Sequence, residues 1–276
     1  MLKIDAHQHF WVFDPVRDSW ITDDMSVIQR DFLPADLEFE LRRNGIDGCI
    51  AVQADQSEEQ NAFLLAHTEG NDFIKGVVGW IDLRADNIEE RLEFYSHTKL
   101  MKGFRHVLQG ESNRALMLEP DFKRGISLLH KYGFTYDILI FPDQLKYAGK
   151  LVSEFPGQKF VLDHIAKPPI KAGEIESWAG EIAMLAANKN VYCKVSGMVT
   201  EADRNNWTNA TFTKYLDVIF KAFGTDRVMY GSDWPVCLVA ASYAQVKAIV
   251  EEYVQQFSTL EQEMIFGGNA ITFYNL

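Results

Sequence analysis

Short runs of apolar and β-branched residues recur along the chain, separated by stretches in which the apolar positions have a different spacing. Eight such runs predict strands, at residues 3–9, 48–53, 74–81, 101–107, 134–140, 159–164, 191–197 and 227–233. The runs are almost continuously apolar, which is typical of parallel strands that are buried on both faces. The pattern therefore predicts an alternation of strands and helices.

The segments between the runs have helical spacing and helical end signals. Ser57 and Gln60 form a capping-box pattern that opens a helix, which we expect to end at Gly70. Another set of apolar residues repeats at helical spacing before Gly224, namely Phe212, Tyr215, Leu216, Ile219, Phe220 and Phe223. Such stripes predict helices that pack against a sheet.

The alternation also predicts the fold class. Eight strand and helix units in a chain of 276 residues favour an α/β protein built as a single (β/α)8 TIM barrel. We expect residues 1–276 to form one domain, because no linker, exact repeat or low-complexity tract divides them. An open, doubly wound sheet is the alternative, but no glycine-rich phosphate-binding sequence follows any predicted strand.

The composition limits the classes of binding partner and the cellular compartment that we expect for the protein. A net charge of −12 and a pI near 5.0 argue against nucleic acid or an anionic membrane surface, which attract basic faces. Cys49, Cys193 and Cys237 lie far apart without metal-binding spacing, so we expect reduced thiols in the core. No secretory leader pattern and no apolar run of membrane-spanning length are present. These features predict a cytoplasmic protein.

The first predicted strand carries two histidines, His7 and His9, one residue apart. In a regular strand Asp5, His7 and His9 share one face, with Ala6 and Gln8 on the other. Two imidazoles on one face at a barrel mouth would share a cation or polarise one carbonyl group. The alternative interpretation is a pair of hydrogen-bonded interior histidines.

Other strand ends also carry polar residues, which are Gln53, Asp55, Arg105, His106, Asp137, His164, Ser196 and Asp233. The carboxyl ends of barrel strands meet at one rim, so this convergence predicts an active site there. Asp163 and His164 are adjacent and should face opposite sides. We expect His164 to enter the mouth and Asp163 to anchor a helix. The alternatives are a helix-capping role for Asp233 and a salt bridge from Arg105 to an outer helix.

Motifs that carry these residues resemble those of a known family. They are "DAHQHFW", "RDFLPADL", "GIDGCIAVQADQS", "VVGWIDL", "KGFRHVLQ", "VLDHIAKPPI", "KVSGMVTEA" and "DRVMYGSDWPV". Together they resemble the amidohydrolase superfamily, and within it the sugar-lactonase branch that includes L-fuconolactonase and L-rhamnonolactonase. The resemblance runs from residue 3 to about residue 240, with the motifs in order.

The resemblance implies a TIM barrel that adds water to a small-molecule lactone and opens it to an aldonic acid. By position, His7 and His9 match the first-strand pair of the family, His164 the sixth-strand histidine and Asp233 the eighth-strand aspartate. Arg105 and His106 match the polar pair of this branch on the fourth strand.

The chain also departs from the two-metal members of the superfamily. The fourth strand lacks their bridging Lys or Glu, and the fifth offers Tyr136 and Asp137 where they have a histidine. We therefore expect no bridged two-metal centre. His7, His9 and Asp233 would hold one divalent ion, with zinc favoured, or the enzyme would work without a metal.

These residues suggest a mechanism for lactone hydrolysis. We expect Asp233 to act as the general base, with His7, His9, His164 and Arg105 polarising the carbonyl group, and with His106 also in the catalytic set. Hydrogen bonds to the substrate would come from Gln53, Asp137, Lys167 and Ser196. Trp11, Trp20 and Trp234 are the candidates for an aromatic floor, although core packing is an equal alternative for them.

Three other functions remain open on the sequence. The first is a metal-dependent decarboxylase of the same superfamily, and the second is a lactonase of the 2-pyrone-4,6-dicarboxylate type. The third is a sugar-acid binding protein without turnover. The sequence predicts neither the preferred lactone nor the oligomeric state.

Overall fold

A parallel barrel of eight strands forms the centre of the computed structural model, which describes residues 1–276. The strands are β1 Ile4–Gln8, β2 Gly48–Val52, β3 Ile74–Gly79, β4 Met101–His106, β5 Thr135–Ile138, β6 Phe160–Leu162, β7 Val191–Val195 and β8 Val228–Tyr230. They lie in the order of the chain, and each pairs in parallel with the next. The predicted barrel is confirmed, and the open sheet is wrong.

The first and last strands meet through two backbone hydrogen bonds beyond the end of β8. The amide of Asp233 donates to the carbonyl of His7 at 2.8 Å, and the amide of His9 donates to the carbonyl of Trp234 at 2.7 Å. Because these bonds lie at the carboxyl ends of both strands, they bring the two polar segments of the sequence together at one rim of the barrel.

Helices follow the strands in alternation. They are α1 Pro34–Asn44, α2 Glu58–Ala66, α3 Ile88–Ser96, α4 Pro120–Leu129, α5 Leu145–Glu154, α6 Glu176–Ala186, α7 Met198–Glu201, α8 Asn209–Phe223, α9 Tyr243–Val254, α10 Thr259–Glu263 and α11 Asn269–Tyr274. Ser57 caps α2 by accepting from the amide of Gln60, but the predicted capping box is incomplete, because the side chain of Gln60 donates to the carbonyl of Phe10, and the helix ends four residues before Gly70. None of the helices combines the length and apolar character that a membrane crossing requires.

The apolar core has two parts. The larger lies between strands and helices and includes the whole predicted stripe of α8, which is buried. The smaller part joins apolar residues of the strands, such as Ile4, Val78 and Met229, to Phe273 and Tyr274 of α11. Lys102 and Lys159, at the starts of β4 and β6, donate to backbone carbonyls of α11 or just beyond it. The last helix therefore closes the amino end of the barrel.

The three cysteines are free and buried, as predicted. The face assignment in β1 is wrong, because the register of β1 against β2 shifts between Asp5 and Gln8. Asp5 accepts a hydrogen bond at 2.9 Å from the hydroxyl of Tyr243 on α9, whereas His7 contacts Lys194 of β7. The bulge turns His7 away from the face that Asp5 occupies.

Candidate active site

A cavity of about 380 Å³ opens at the carboxyl ends of the strands. Its polar lining includes His9, Arg105, His164 and Asp233, and the aromatic part comes from Trp11 and Trp20. The other lining residues are Arg17, Ala54, Asp55, Gln56, Val107, Gln109, Gly110, Leu139, Lys167 and Val236. The volume is in the range of small-molecule sites, roughly 300–1,000 Å³.

Three of these side chains, His9, His164 and Asp233, form what we call the mouth cluster. The Oδ1 atom of Asp233 lies 3.5 Å from Nε2 of His9 and 3.8 Å from Nε2 of His164. His7 lies directly behind, with its Nε2 atom 3.2 Å from that of His9 and 3.9 Å from Asp233. The fold thus brings the three predicted histidines around one carboxylate.

The tautomer of His9 follows from its hydrogen bonding. Its Nδ1 atom lies 2.8 Å from the carbonyl oxygen of Val52, which can only accept. Nδ1 therefore carries the proton, and Nε2 of neutral His9 presents a lone pair to His7 and Asp233. In this tautomer Nε2 accepts a hydrogen bond or ligates a cation, so of the two expected ways for His9 to polarise a carbonyl group only the one through a bound cation remains.

His164 belongs to a segment with an unusual backbone. The φ angles of His164, Ile165, Ala166 and Lys167 are 53°, 49°, 57° and 49°, a left-handed conformation that L-residues seldom adopt in succession. The Nδ1 atom of His164 lies 2.8 Å from Oγ of Ser196. Gly197 lies so close that a β-carbon there would come within 2.6 Å of Nδ1 of His164.

The left-handed segment corrects the expectation for Asp163, which does not anchor a helix. Its Oδ2 atom accepts from Nη1 of Arg105 at 3.0 Å, and its Oδ1 atom lies 3.0 Å from Nζ of Lys194 and 3.3 Å from Nδ1 of His7. Because the chain leaves the strand conformation after Asp163, the two neighbours no longer point to opposite sides. Both reach the barrel interior.

Arg105 is held from several directions, although it also lines the cavity. Besides Asp163, its guanidinium donates to the carbonyl and side-chain oxygens of Gln53, at 2.6 and 3.0 Å. The proposed salt bridge to an outer helix is wrong, since its carboxylate partner lies inside the barrel. Gln53 and Ser196 lie behind the cavity, where they hold Arg105 and His164.

Besides His7, Gln53 and Ser196, three further predicted site residues lie away from the cavity lining. His106 is buried between Glu111, 2.7 Å from its Nε2 atom, and the indole of Trp80. Trp234 packs edge-on against Phe32 in the core. Asp137 lies deeper in the barrel, so these three do not line the cavity as the sequence analysis expected.

Asp137 belongs to what we call the buried cluster, formed by Asp137, Asp163, Lys194 and Tyr274. Nζ of Lys194 lies 2.5 Å from Oδ2 of Asp137 and 3.1 Å from Nδ1 of His7. The hydroxyl of Tyr274 donates to the same Asp137 carboxylate at 2.9 Å. Sequence reasoning missed Lys194, although a lysine inside the apolar run "VYCKVSG" was a signal that it needs buried partners.

Burial and charge set the ionisation of the site. Burial lowers the pKa of His7 well below its ordinary value, with Lys194 adding to the effect and Asp163 opposing it. Burial also lowers the pKa of His164 to about 4, against the pull of Asp233. Burial alone would raise the pKa of Asp233, but the surrounding histidines lower it instead. At neutral pH His7 and His164 are therefore neutral and lie beside an ionised Asp233.

The donor set of this site fits a single divalent cation. One ligand atom from each of His7, His164 and Asp233 lies within 4.8 Å of the others, and all three residues are buried. Imidazole nitrogens and one carboxylate oxygen are ligands that zinc accepts. Nε2 of His9 adds a lone pair on the same side.

Comparisons with known proteins agree with this architecture. A family model described as amidohydrolase matches residues 4–276. The chain is similar to an L-fucono-1,5-lactonase of Burkholderia multivorans, at 38% identity over 100% of this chain and 96% of that protein. It is 31% identical to an L-fucono-1,5-lactonase of Burkholderia ambifaria, over 99% of this chain and 96% of that protein.

A solved structure is similar over its whole length. It is the crystal structure of an amidohydrolase from Burkholderia multivorans with bound zinc, at 38% identity, with 100% of both chains covered and a TM-score of 0.97.

Proposed function

Because the chain belongs to the amidohydrolase family, we propose that it is a hydrolase that opens a sugar lactone, such as L-fuconolactone, to the aldonic acid. One observation carries this proposal. A single ionised carboxylate, Asp233, lies among imidazole rings at the floor of a cavity that has the size of a small-molecule site. The relatives named as L-fucono-1,5-lactonases support the substrate class.

In this proposal Asp233 is the general base. It takes a proton from water, and the oxygen of that water forms a bond to the lactone carbonyl carbon. When the tetrahedral intermediate collapses, the bond from that carbon to the ring oxygen breaks, and Asp233 returns the proton to the departing oxygen. The product is a hydroxy acid, and the base is regenerated.

The charge that develops on the carbonyl oxygen needs donors. Arg105 lines the cavity with its guanidinium already oriented by Asp163 and Gln53, so it adds a positive charge without reorganisation. His164 is the second candidate donor, through Nε2, when Ser196 donates to Nδ1. His7, His9, His164 and Asp233 would hold a zinc ion, which when bound supplies Lewis-acid polarisation of the carbonyl.

Binding of the sugar would use the outer part of the cavity. Trp20 is 44% exposed there and meets Trp11 edge-on, so its ring is available for the apolar face of a sugar. Asp55, Gln56 and Lys167 lie on the same lining and offer hydrogen bonds to hydroxyl groups. His106, Asp137 and Trp234 have no direct part in this proposal.

A panel of lactones tests the proposal. Acid release is followed with a pH indicator for L-fucono-, D-arabinono-, L-rhamnono- and L-galactonolactone, using the protein as purified and the protein with added zinc. We expect turnover of at least one of them. No acid release from any lactone in either state would overturn the proposal, and carbon dioxide release from an aromatic acid would point to the decarboxylase alternative.

A further inference from the structure

The residue behind the mouth cluster, His7, has partners of opposite kinds on the same ring nitrogen. Its Nδ1 atom lies 3.1 Å from Nζ of Lys194, which can only donate, and 3.3 Å from Oδ1 of Asp163, which accepts when ionised. A proton on Nδ1 suits Asp163, and a lone pair there suits Lys194. The two partners therefore favour different tautomers of the neutral ring.

The donors of Lys194 decide between these tautomers. Its ammonium carries three protons and is completely buried, so each proton needs an acceptor within the protein. Three acceptors surround it, Oδ2 of Asp137 at 2.5 Å, Oδ1 of Asp163 at 3.0 Å and Nδ1 of His7 at 3.1 Å. Oδ1 of Asp163 meets the ammonium as an ion pair and not as a hydrogen bond, so the hydrogen bonds of Lys194 go to Asp137 and His7, and the second forms only when Nδ1 of His7 is unprotonated.

The other side of the ring agrees with this tautomer. When the proton is on Nε2, His7 donates across 3.2 Å to Nε2 of His9, whose own proton is committed to Val52. Nη1 of Arg105 also lies 3.2 Å from Nε2 of His7, and this contact favours the opposite tautomer. Asp163 accepts one of the two protons of that Arg105 nitrogen at 3.0 Å, so this tautomer leaves one Arg105 proton unmatched, whereas the opposite tautomer loses two hydrogen bonds, from Lys194 to His7 and from His7 to His9.

We propose that Lys194 is a positioning residue that holds His7 as the tautomer with its proton on Nε2, and that it thereby weakens metal binding at this site. A continuous chain of hydrogen bonds then runs from Lys194 through His7 and His9 to the carbonyl of Val52. Two of the four candidate metal ligands satisfy each other without a cation.

A metal ion requires the opposite arrangement. To ligate through Nε2, His7 must move its proton to Nδ1, where Oδ1 of Asp163, 3.3 Å away and without a hydrogen bond of its own, is available as the acceptor. No proton is gained or lost by the ring, but Lys194 then loses its hydrogen bond to His7. The cost of that loss lowers the affinity for the metal. The inference concerns the tautomer and the affinity, and it holds whichever lactone the proposed hydrolase prefers.

The first test determines which ring nitrogen of His7 carries the proton in the wild-type protein, and it needs no substrate. Histidine labelled with nitrogen-15 shows by NMR which ring nitrogen carries the proton, and a His7→Gln sample identifies the signal of His7. In metal-free protein we expect the proton on Nε2, and after zinc addition we expect it on Nδ1. A proton on Nδ1 in the metal-free protein would overturn the proposal.

The second test measures zinc affinity with a competing chelator. Lys194→Met removes the donor to His7, and we expect zinc to bind at least about tenfold more tightly, since partners beyond the ligands typically change affinity by about 10- to 100-fold. Asp137→Asn is the matched control, because it disturbs Lys194 without touching His7, and we expect a change below about threefold.

Unchanged affinity in folded Lys194→Met would contradict the proposal, as would an equal rise in the control. If Lys194→Met does not fold, the wild-type NMR result decides. Because neither experiment uses a lactone, they separate a failure of this inference from a failure of the proposed function.

Discussion

The mouth cluster and the buried cluster are both built around aspartates and are joined through His7, yet they differ in how their polar atoms are satisfied. In the buried cluster, Lys194 and Asp137 bond to each other and to further protein groups at 2.5–3.1 Å. In the mouth cluster, Oδ1 of Asp233 has only contacts of 3.5–3.9 Å to three imidazoles. Polar groups whose hydrogen bonds are all made within the protein stabilise the barrel. Polar groups that face the cavity without close partners are available to bind water, substrate or metal.

The same contrast appears within the buried cluster. Burial raises the pKa of Asp137 to about 6, with Lys194 opposing the rise. Burial acts on Asp163 as well, but Lys194, His7 and Arg105 outweigh it and lower its pKa well below the ordinary value. The pKa values of two carboxylates that share one lysine thus shift in opposite directions, because Asp163 also has His7 and Arg105 as partners.

The largest effect on either cluster should come from Asp233→Asn in the mouth cluster. We expect turnover of the best lactone to fall by about a thousandfold, because general base catalysis typically contributes about 10²–10⁴-fold. The fold should remain, since no donor is left without its partner. Asp55→Asn is the control on the same cavity wall, and its kcat should stay within about tenfold. Equal losses in both variants would contradict the role of Asp233.

Asp163→Asn tests whether the buried cluster stabilises the fold. It removes the charge that Arg105 and Lys194 share, so we expect the free energy of unfolding in urea to fall by about 3–5 kcal/mol. The control is Glu201→Gln, which weakens a partly exposed pair with Lys167 and should cost less than about 1 kcal/mol. A small loss for Asp163→Asn would mean that the buried cluster does not stabilise the barrel.

Asp137→Asn should change how stability depends on pH. The pKa of Asp137 in the folded state, about 6, lies above its unfolded value, so this group stabilises the fold below about pH 4. That contribution is lost as the pH rises through about 6. In the variant we expect the fall in unfolding free energy between these pH values to shrink by up to about 2–3 kcal/mol.

Asp5, whose pKa burial also raises to about 6, retains its own share of that fall. Some slope should therefore remain in the Asp137→Asn protein. An unchanged slope in denaturant unfolding at pH 4, 5, 6 and 7 would show that Asp137 does not titrate in this window.

The smallest effect should come from the aromatic wall. Trp20→Ala is expected to raise KM by about 3- to 10-fold with little change in kcat, since an aromatic contact is worth about 0.5–1.5 kcal/mol. Phe94→Ala is the control, because Phe94 is 57% exposed but lies on α3, outside the cavity lining. A loss confined to kcat would place Trp20 in the chemical step instead.

The sequence predicts the parts of the molecule that depend on local pattern. The apolar runs predict all eight strands, and the segment of His7 and His9 and that of Asp233 meet where the strand ends predict. The face of His7 and the direction of Asp163 could not be predicted, because a bulge and a left-handed segment break the strand period there. Lys194 escaped notice because its partners come from β5, from the end of β6 and from β1, which only the closed barrel brings together.

The left-handed segment from His164 to Lys167 has a consequence for how this protein can change. Each such residue costs roughly 1–2 kcal/mol relative to the right-handed form, and glycine would remove that cost. At Ala166, whose φ is 57°, glycine would therefore stabilise the protein against unfolding. The same change would give His164, two residues away, more conformational freedom. Thermal stability and a fixed position of His164 thus favour different residues at this site. Selection for thermal stability alone would loosen the geometry that selection for turnover maintains.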